Sequence, residues 1–308
     1  YGRIGDLLDR FDREHGTDGN RLFYLSLIPK LFPDTIRGIG KAGLGGRGWD
    51  RGHSRVVVEK PFGHDLASAR ELQDLVTTVF PERDVFRIDH YLGKESVQNI
   101  IAFRFANGIF EPVWNHHYVD HVQVMVSESL GIEHRGNFYE TAGAIRDIFQ
   151  NHELQVLALI AMEPPASFEP EDVRNEKAKV LKALRHLHGQ TVDTHVVRGQ
   201  YGHGWIDGKE VPGYREEPDV HPDSVVETYV AAELRVDNWR WAGTPFYVRT
   251  GKRLPKRATE VVVQFKSAPH LPFGEAAQDG LEPNALVLRI QPDEGITMRI
   301  GAKVPGPS

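Results

Sequence analysis

The 308-residue chain contains no cysteine, which removes disulfides, thiolate nucleophiles and cysteine metal sites together and leaves the redox compartment open. It lacks a large excess of either charge. A formal net charge of −6 and a pI near 6.2 give no long-range pull on nucleic acid or anionic membrane, so an anionic ligand has to be held by a local group of cations. No apolar run approaches the length of a transmembrane helix, and the opening Tyr1-Gly2-Arg3-Ile4-Gly5-Asp6 has no signal-peptide pattern. The chain does not begin with methionine, which reads as a piece of a longer protein. These absences fit a cytoplasmic enzyme that engages neither nucleic acid nor membrane. What is present is ordinary for a folded protein: 40% hydrophobic and 26% charged residues, enough for two modest domains.

Short apolar segments, Arg21 to Ile28, Val56 to Glu59 and Val85 to Ile88, read as strands of a parallel sheet. Between the last two, Leu66, Ala69, Leu72, Leu75, Val76 and Val79 recur at helical spacing behind Asp65 as N-cap, which completes a βαβ unit. Beyond Asp89 the texture changes to long helices, expected over Lys94 to Phe105, Phe138 to Met162 and Glu171 to Leu187. Strands are then expected at Thr191 to Arg198, Ser224 to Leu234, Thr244 to Arg249, Glu260 to Phe265 and Ala285 to Ile290. The fold class is therefore α/β plus α+β. The remainder of a Rossmann-like parallel sheet occupies residues 1–89, and a larger domain with long helices and a mostly antiparallel sheet occupies 90–308. The end, Val304 to Ser308, reads as frayed.

Gly38-Ile39-Gly40-Lys41-Ala42-Gly43 matches the dinucleotide fingerprint, with Glu59 about 20 residues on. Its context is wrong. A helix precedes it and Leu44-Gly45-Gly46-Arg47-Gly48 follows, which cannot open the helix that would hold a pyrophosphate, so a flexible glycine loop is expected.

The densest polar run, Arg87 to Glu95, stands where a strand runs out and a helix begins, a location that suits a phosphate. There His90, Tyr91 and Lys94 offer an imidazole, a phenol and an ammonium. A second group, Arg146, Asp147, Gln150, Asn151 and His152, interrupts an otherwise apolar helix. A neutral imidazole can take a hydroxyl proton near pH 7, and a carboxylate can orient it. On a regular helix Asp147 and His152 lie about 140° apart, so both reach one ligand only if it lies across the helix or the helix is distorted, and Asp89 is the expected orienting carboxylate. Lys60 follows a strand within Glu59-Lys60-Pro61-Phe62-Gly63, a turn that invites a cis bond. Arg249 to Arg257 is a basic loop between strands. No histidine or carboxylate pair has metal-ligand spacing; His116 and His117 are adjacent, and no metal is expected.

In this order, the Glu59–Gly63 turn, Arg87 to Glu95, and Arg146-Asp147 with Gln150-Asn151-His152 resemble the glucose-6-phosphate dehydrogenase family, from about Arg21 to Gly306. Phe103 to Asn107 and Arg249 to Lys252 resemble family segments as well. The resemblance implies oxidation of glucose 6-phosphate to 6-phosphogluconolactone in the oxidative pentose phosphate pathway. NADP is the implied hydride acceptor, with NAD as the alternative. It makes His152 the general base and Asp89 its partner, assigns the substrate phosphate to His90, Tyr91 and Lys94, and gives substrate contacts to Glu128, Asp147, Lys252 and Arg257, with Gln291 a further candidate. Lys60 would lie between sugar and nicotinamide, and a homodimer or homotetramer is implied. The family's glycine-rich turn is expected to precede residue 1, which would leave an exposed sheet edge. Two competing readings are a sugar-phosphate-binding fragment without catalysis and a dehydrogenase of the glucose-fructose oxidoreductase kind. His90, Tyr91, Lys94 and the basic loop argue against the second, since they have little purpose without a phosphate.

Overall fold

A computed structural model describes residues 1–46, 52–206, 208–270 and 281–302; Arg47, Gly48 and the segment 304–308 read above lie outside them. The chain divides into two compact units, Tyr1–His90 and Tyr91–Ser308. No described helix is long and apolar enough to cross a membrane.

In the first unit, β1 (Arg21–Leu25), β2 (Ser54–Val58) and β3 (Val85–Arg87) form a parallel sheet in that order. The core beside it comes from Val56 and Val58 of β2, Phe32, Ile36 and Ile39 of α2 (Phe32–Lys41), and Leu72 and Val76 of α3 (Leu66–Val79). Asp65 caps α3 in a reciprocal capping box: its carboxylate accepts from the Ser68 amide at 2.8 Å, and Ser68 Oγ accepts from the Asp65 amide at 3.1 Å. A further helix, α1 (Gly2–His15), precedes the sheet where no element was expected.

The glycine motif is not a flexible loop. Gly38 and Gly40 lie inside α2, and a Cβ at Gly40 would stand 2.8 Å from Val79 Cγ2 of α3. The glycines let two helices approach closely, and Gly43, at φ 67, turns the chain out of the helix.

The second unit is built on a seven-stranded sheet of order β12-β11-β10-β4-β9-β8-β5. Its strands are β4 (Val119–Ser127), β5 (Val196–Gly199), β8 (Tyr229–Arg235), β9 (Pro245–Gly251), β10 (Ala258–Phe265), β11 (Ala285–Gln291) and β12 (Gly295–Arg299). A small separate hairpin is formed by β6 (Gly204–Ile206) and β7 (Lys209–Val211). The large sheet is antiparallel except for β4 against β9, because β4, from before the helices, inserts between two later strands. β4 is a strand beyond those expected from the sequence, and Val122, Val124 and Val126 alternate along it with period two. Those valines, with Phe246, Val248, Val261, Val263, Leu286 and Leu288, form one buried face. Against it pack Val97 and Ile100 of α4 (Glu95–Ala106), Val156, Leu157 and Ile160 of α6 (Leu154–Ala161), and Val180 of α7 (Pro170–Ala183).

Two expected elements differ. Residues Gln190–His195 form a helix, α8, and only Val196–Gly199 is strand. Thr191 and Val192 are β-branched and read as strand, but Thr191 Oγ1 accepts from the His188 amide at 2.8 Å and so starts a helical turn. The expected helix from Phe138 to Met162 is broken into α5 (Gly136–Ala144), a π-helical segment (Ile145–Glu153) and α6.

Candidate active site

The helix is distorted where Asp147 and His152 sit, since both lie in a π-helical segment. Its hydrogen bonds run from residue i to i+5, as from Phe149 O to the Leu154 amide, so side chains five apart become neighbours along one face. The break that starts the segment is at Gly143, whose φ 60 and ψ −179 are open essentially to glycine alone. Glu227 satisfies the amides released there: its carbonyl accepts from Ala144 at 2.9 Å and its Oε1 from Ile145 at 3.1 Å. Both Asp147 and His152 are buried.

His152, only 1% exposed, stacks on Tyr91, with ring centroids 4.1 Å apart and planes 12° from parallel. Burial raises the pKa of the Tyr91 hydroxyl, which therefore stays protonated at neutral pH; a hydrogen bond with Thr259 and, more weakly, the Arg257 guanidinium pull the other way. Lys94 Nζ lies 3.8 Å over the same ring and donates to Gln291 Oε1 at 2.8 Å. Gln291 Nε2 donates in turn to Thr259 Oγ1 at 3.0 Å. Lys94 is also the N-cap of α4; its side chain makes no cap bond, and its carbonyl accepts from the Val97 amide at 3.1 Å and the Gln98 amide at 3.0 Å.

Lys252, 4% exposed, donates to Glu128 Oε2 at 2.6 Å, and Asp147 Oδ2 is 3.8 Å from the same nitrogen. Two carboxylates around one ammonium can accept hydrogen bonds from sugar hydroxyls while their charge is partly balanced. The second unit thus brings together Tyr91, Lys94, His152 and Gln291 in one group, and Glu128, Asp147 and Lys252 in another, with exposed Arg257 leading into β10.

Lys60, Asp89 and His90 belong to the first unit. Lys60 follows β2, and its bond to Pro61 is cis. Asp89 and His90 follow β3, Asp89 half-buried and His90 exposed. The carboxyl ends of parallel strands are where nucleotides bind in sheets of this kind. Among the described residues, however, the only glycine-rich candidate for the pyrophosphate is the end of α2, which does not fit it.

Sequence reasoning missed Thr259, Glu227 and Glu153. Thr259 sits at a register shift of β10, a position without a sequence signal. Glu153 is 0% exposed, and its carboxyl makes no well-formed hydrogen bond, only a weak one with the Val126 backbone. Burial holds its pKa well above 4.5, and the Val126 backbone offsets this only in part. The fold therefore keeps this carboxyl protonated to higher pH than the unfolded chain does. Above about pH 4.5 the unfolded chain releases a proton that the fold retains, so stability falls with rising pH until the raised pKa is passed. Glu153→Met should stabilise the protein at pH 7 by about 1–3 kcal/mol, and the pH-dependent part of this gain should disappear below pH 4.5. Thermal melts across that range check it.

The C-terminal domain model of glucose-6-phosphate dehydrogenase matches residues 101–308, and the NAD binding domain model of the same family matches residues 1–99. The chain belongs to the glucose-6-phosphate dehydrogenase family. It is 53% identical over 306 residues to glucose-6-phosphate 1-dehydrogenase 2 of Mycobacterium tuberculosis, covering 99% of this chain and 59% of that protein. To glucose-6-phosphate 1-dehydrogenase of Bacillus subtilis it is 48% identical, covering 98% of this chain and 61% of that protein. A solved structure of glucose-6-phosphate dehydrogenase in complex with its substrate glucose-6-phosphate superposes with a TM-score of 0.89 at 40% identity, over 99% of this chain and 60% of that one. The chain thus spans about three-fifths of the length of these family members.

Proposed function

We propose that the intact protein oxidises the C1 hydroxyl of glucose 6-phosphate to 6-phosphogluconolactone, with NADP as acceptor and NAD as the alternative. The observation that carries this is one tyrosine ring meeting both an ammonium and an imidazole. Lys94 over Tyr91 gives an anchor for the phosphate, and His152 stacked on Tyr91 gives a base for the hydroxyl at the other end of the same sugar. Family membership and the substrate named for the solved relative support the same reading.

In this assignment His152 takes the C1 hydroxyl proton, and Asp89, two residues before Tyr91, is its orienting carboxylate. The nicotinamide, when bound, accepts the hydride from C1. Lys94, Tyr91 and His90 hold the phosphate, with Gln291 placing the Lys94 ammonium. Glu128, Asp147 and Lys252 contact the sugar, Arg257 the phosphate end, and Lys60 the space between sugar and nicotinamide. Residues 1–89 serve as the nucleotide-binding part and residues 90–308 as the substrate part, where the broad sheet offers a surface for a homodimer or homotetramer. A cytoplasmic place in the oxidative pentose phosphate pathway follows from this activity.

Lys94→Ala should raise KM for glucose 6-phosphate about 10–100-fold, the worth of one charge-assisted hydrogen bond, and leave the weak use of unphosphorylated glucose almost unchanged. Steady-state kinetics on both sugars tests it, and equal weakening rejects the phosphate assignment. Calorimetric titration of this chain with glucose 6-phosphate and with NADP then shows which parts of the site it carries by itself.

A further inference from the structure

Arg253 follows Lys252 and adopts φ 54, a left-handed conformation that a glycine takes without strain. An arginine there implies a use for its side chain. Its guanidinium donates to Glu217 Oε1 at 3.2 Å, and Glu217 is almost wholly buried. The Tyr201 hydroxyl donates to the same oxygen at 3.0 Å; burial raises its pKa and keeps its proton in place. That hydroxyl also accepts from the Ile132 amide at 3.3 Å. Gly131 makes room, since a Cβ there would meet Arg253 Nε at 2.6 Å.

The backbone around this group ties down both partners of the sugar site. The Arg253 amide donates to Leu130 O at 3.1 Å, the Leu254 amide to Glu128 O at 2.9 Å, and the Glu128 amide to Gly251 O at 3.0 Å. Glu128 and Lys252 therefore sit on two segments that Arg253 joins to Glu217 and Tyr201. We propose that Arg253, clamped by Glu217 and Tyr201, is a positioning residue that sets the placement of Lys252 against Glu128 and thereby the affinity for the sugar. This rests on the reading of Glu128 and Lys252 as substrate contacts.

Arg253→Gly tests it in the full-length enzyme, because glycine keeps the backbone conformation and removes only the clamp. KM for glucose 6-phosphate should rise about tenfold while kcat stays within about twofold, and Arg253→Lys should recover part of the loss. A purely structural role would lower the melting temperature and the active fraction without moving KM. An unchanged KM, or a fall in kcat alone, overturns the inference. If Arg253→Gly does not fold, Glu217→Gln provides the same comparison, with a raised KM supporting the clamp and an unchanged one rejecting it. Lys252→Ala run in parallel separates the two levels. A raised KM for Lys252→Ala beside an unchanged one for Arg253→Gly sinks the clamp alone, whereas an unchanged KM for Lys252→Ala sinks the reading of the site beneath it.

Discussion

His152→Asn in the intact enzyme should bind glucose 6-phosphate with nearly unchanged affinity and lose about 10²–10⁴-fold in kcat, the usual worth of a general base. Asparagine is polar and smaller, and it fits a site where the imidazole is buried on the Tyr91 ring, but its amide cannot accept the hydroxyl proton. Binding survives because the phosphate anchor at Lys94 and the sugar contacts at Glu128 and Lys252 lie on other elements. Calorimetry for binding and nicotinamide reduction for turnover separate the two effects. Unchanged turnover would remove His152 from the base role, and a loss of binding equal to the loss of turnover would make it a structural histidine.

A second large effect is expected 9 residues upstream, at a position that touches no substrate. Gly143→Ala should cost about 2–4 kcal/mol of stability and most of the activity. Two causes act together. The backbone at φ 60 and ψ −179 is open essentially to glycine, and a Cβ would stand 2.4 Å from Glu227 Oε1, the oxygen that accepts from Ile145. To relieve either, the chain must give up the break, and a continuous α-helix would turn Asp147 and His152 back to about 140° apart. Denaturant melts together with kcat measure both consequences. A variant that folds with normal stability and full turnover would show that the break is dispensable.

The hydrophobic periodicity was strong enough to place β1, β2, β3, α3 and α4 within a few residues, because each of these buries one regular stripe or run. It did not anticipate β4. That strand is joined to its partners only by distant segments, β9 and β10, and its alternating valines were passed over between helical stretches. Thr191 and Val192 misled in the opposite direction, since local hydrogen bonding overrode their β propensity.

The sequence by itself determined the residue types of the site. Two histidines, two aspartates, two lysines and a tyrosine in short polar runs carry the family resemblance, and each run is contiguous in the chain. Tertiary structure alone decided which of them meet. Tyr91 and His152 are 61 positions apart, and Lys94 and Gln291 are 197 apart, so their contacts depend on packing helices against a sheet whose strand order is not the chain order. The π segment is of the same kind. Nothing in Ile145 to Glu153 distinguishes it locally from an α-helix, and it exists because Gly143 breaks the chain where a glutamate from a remote strand approach, Glu227, is ready to accept the released amides.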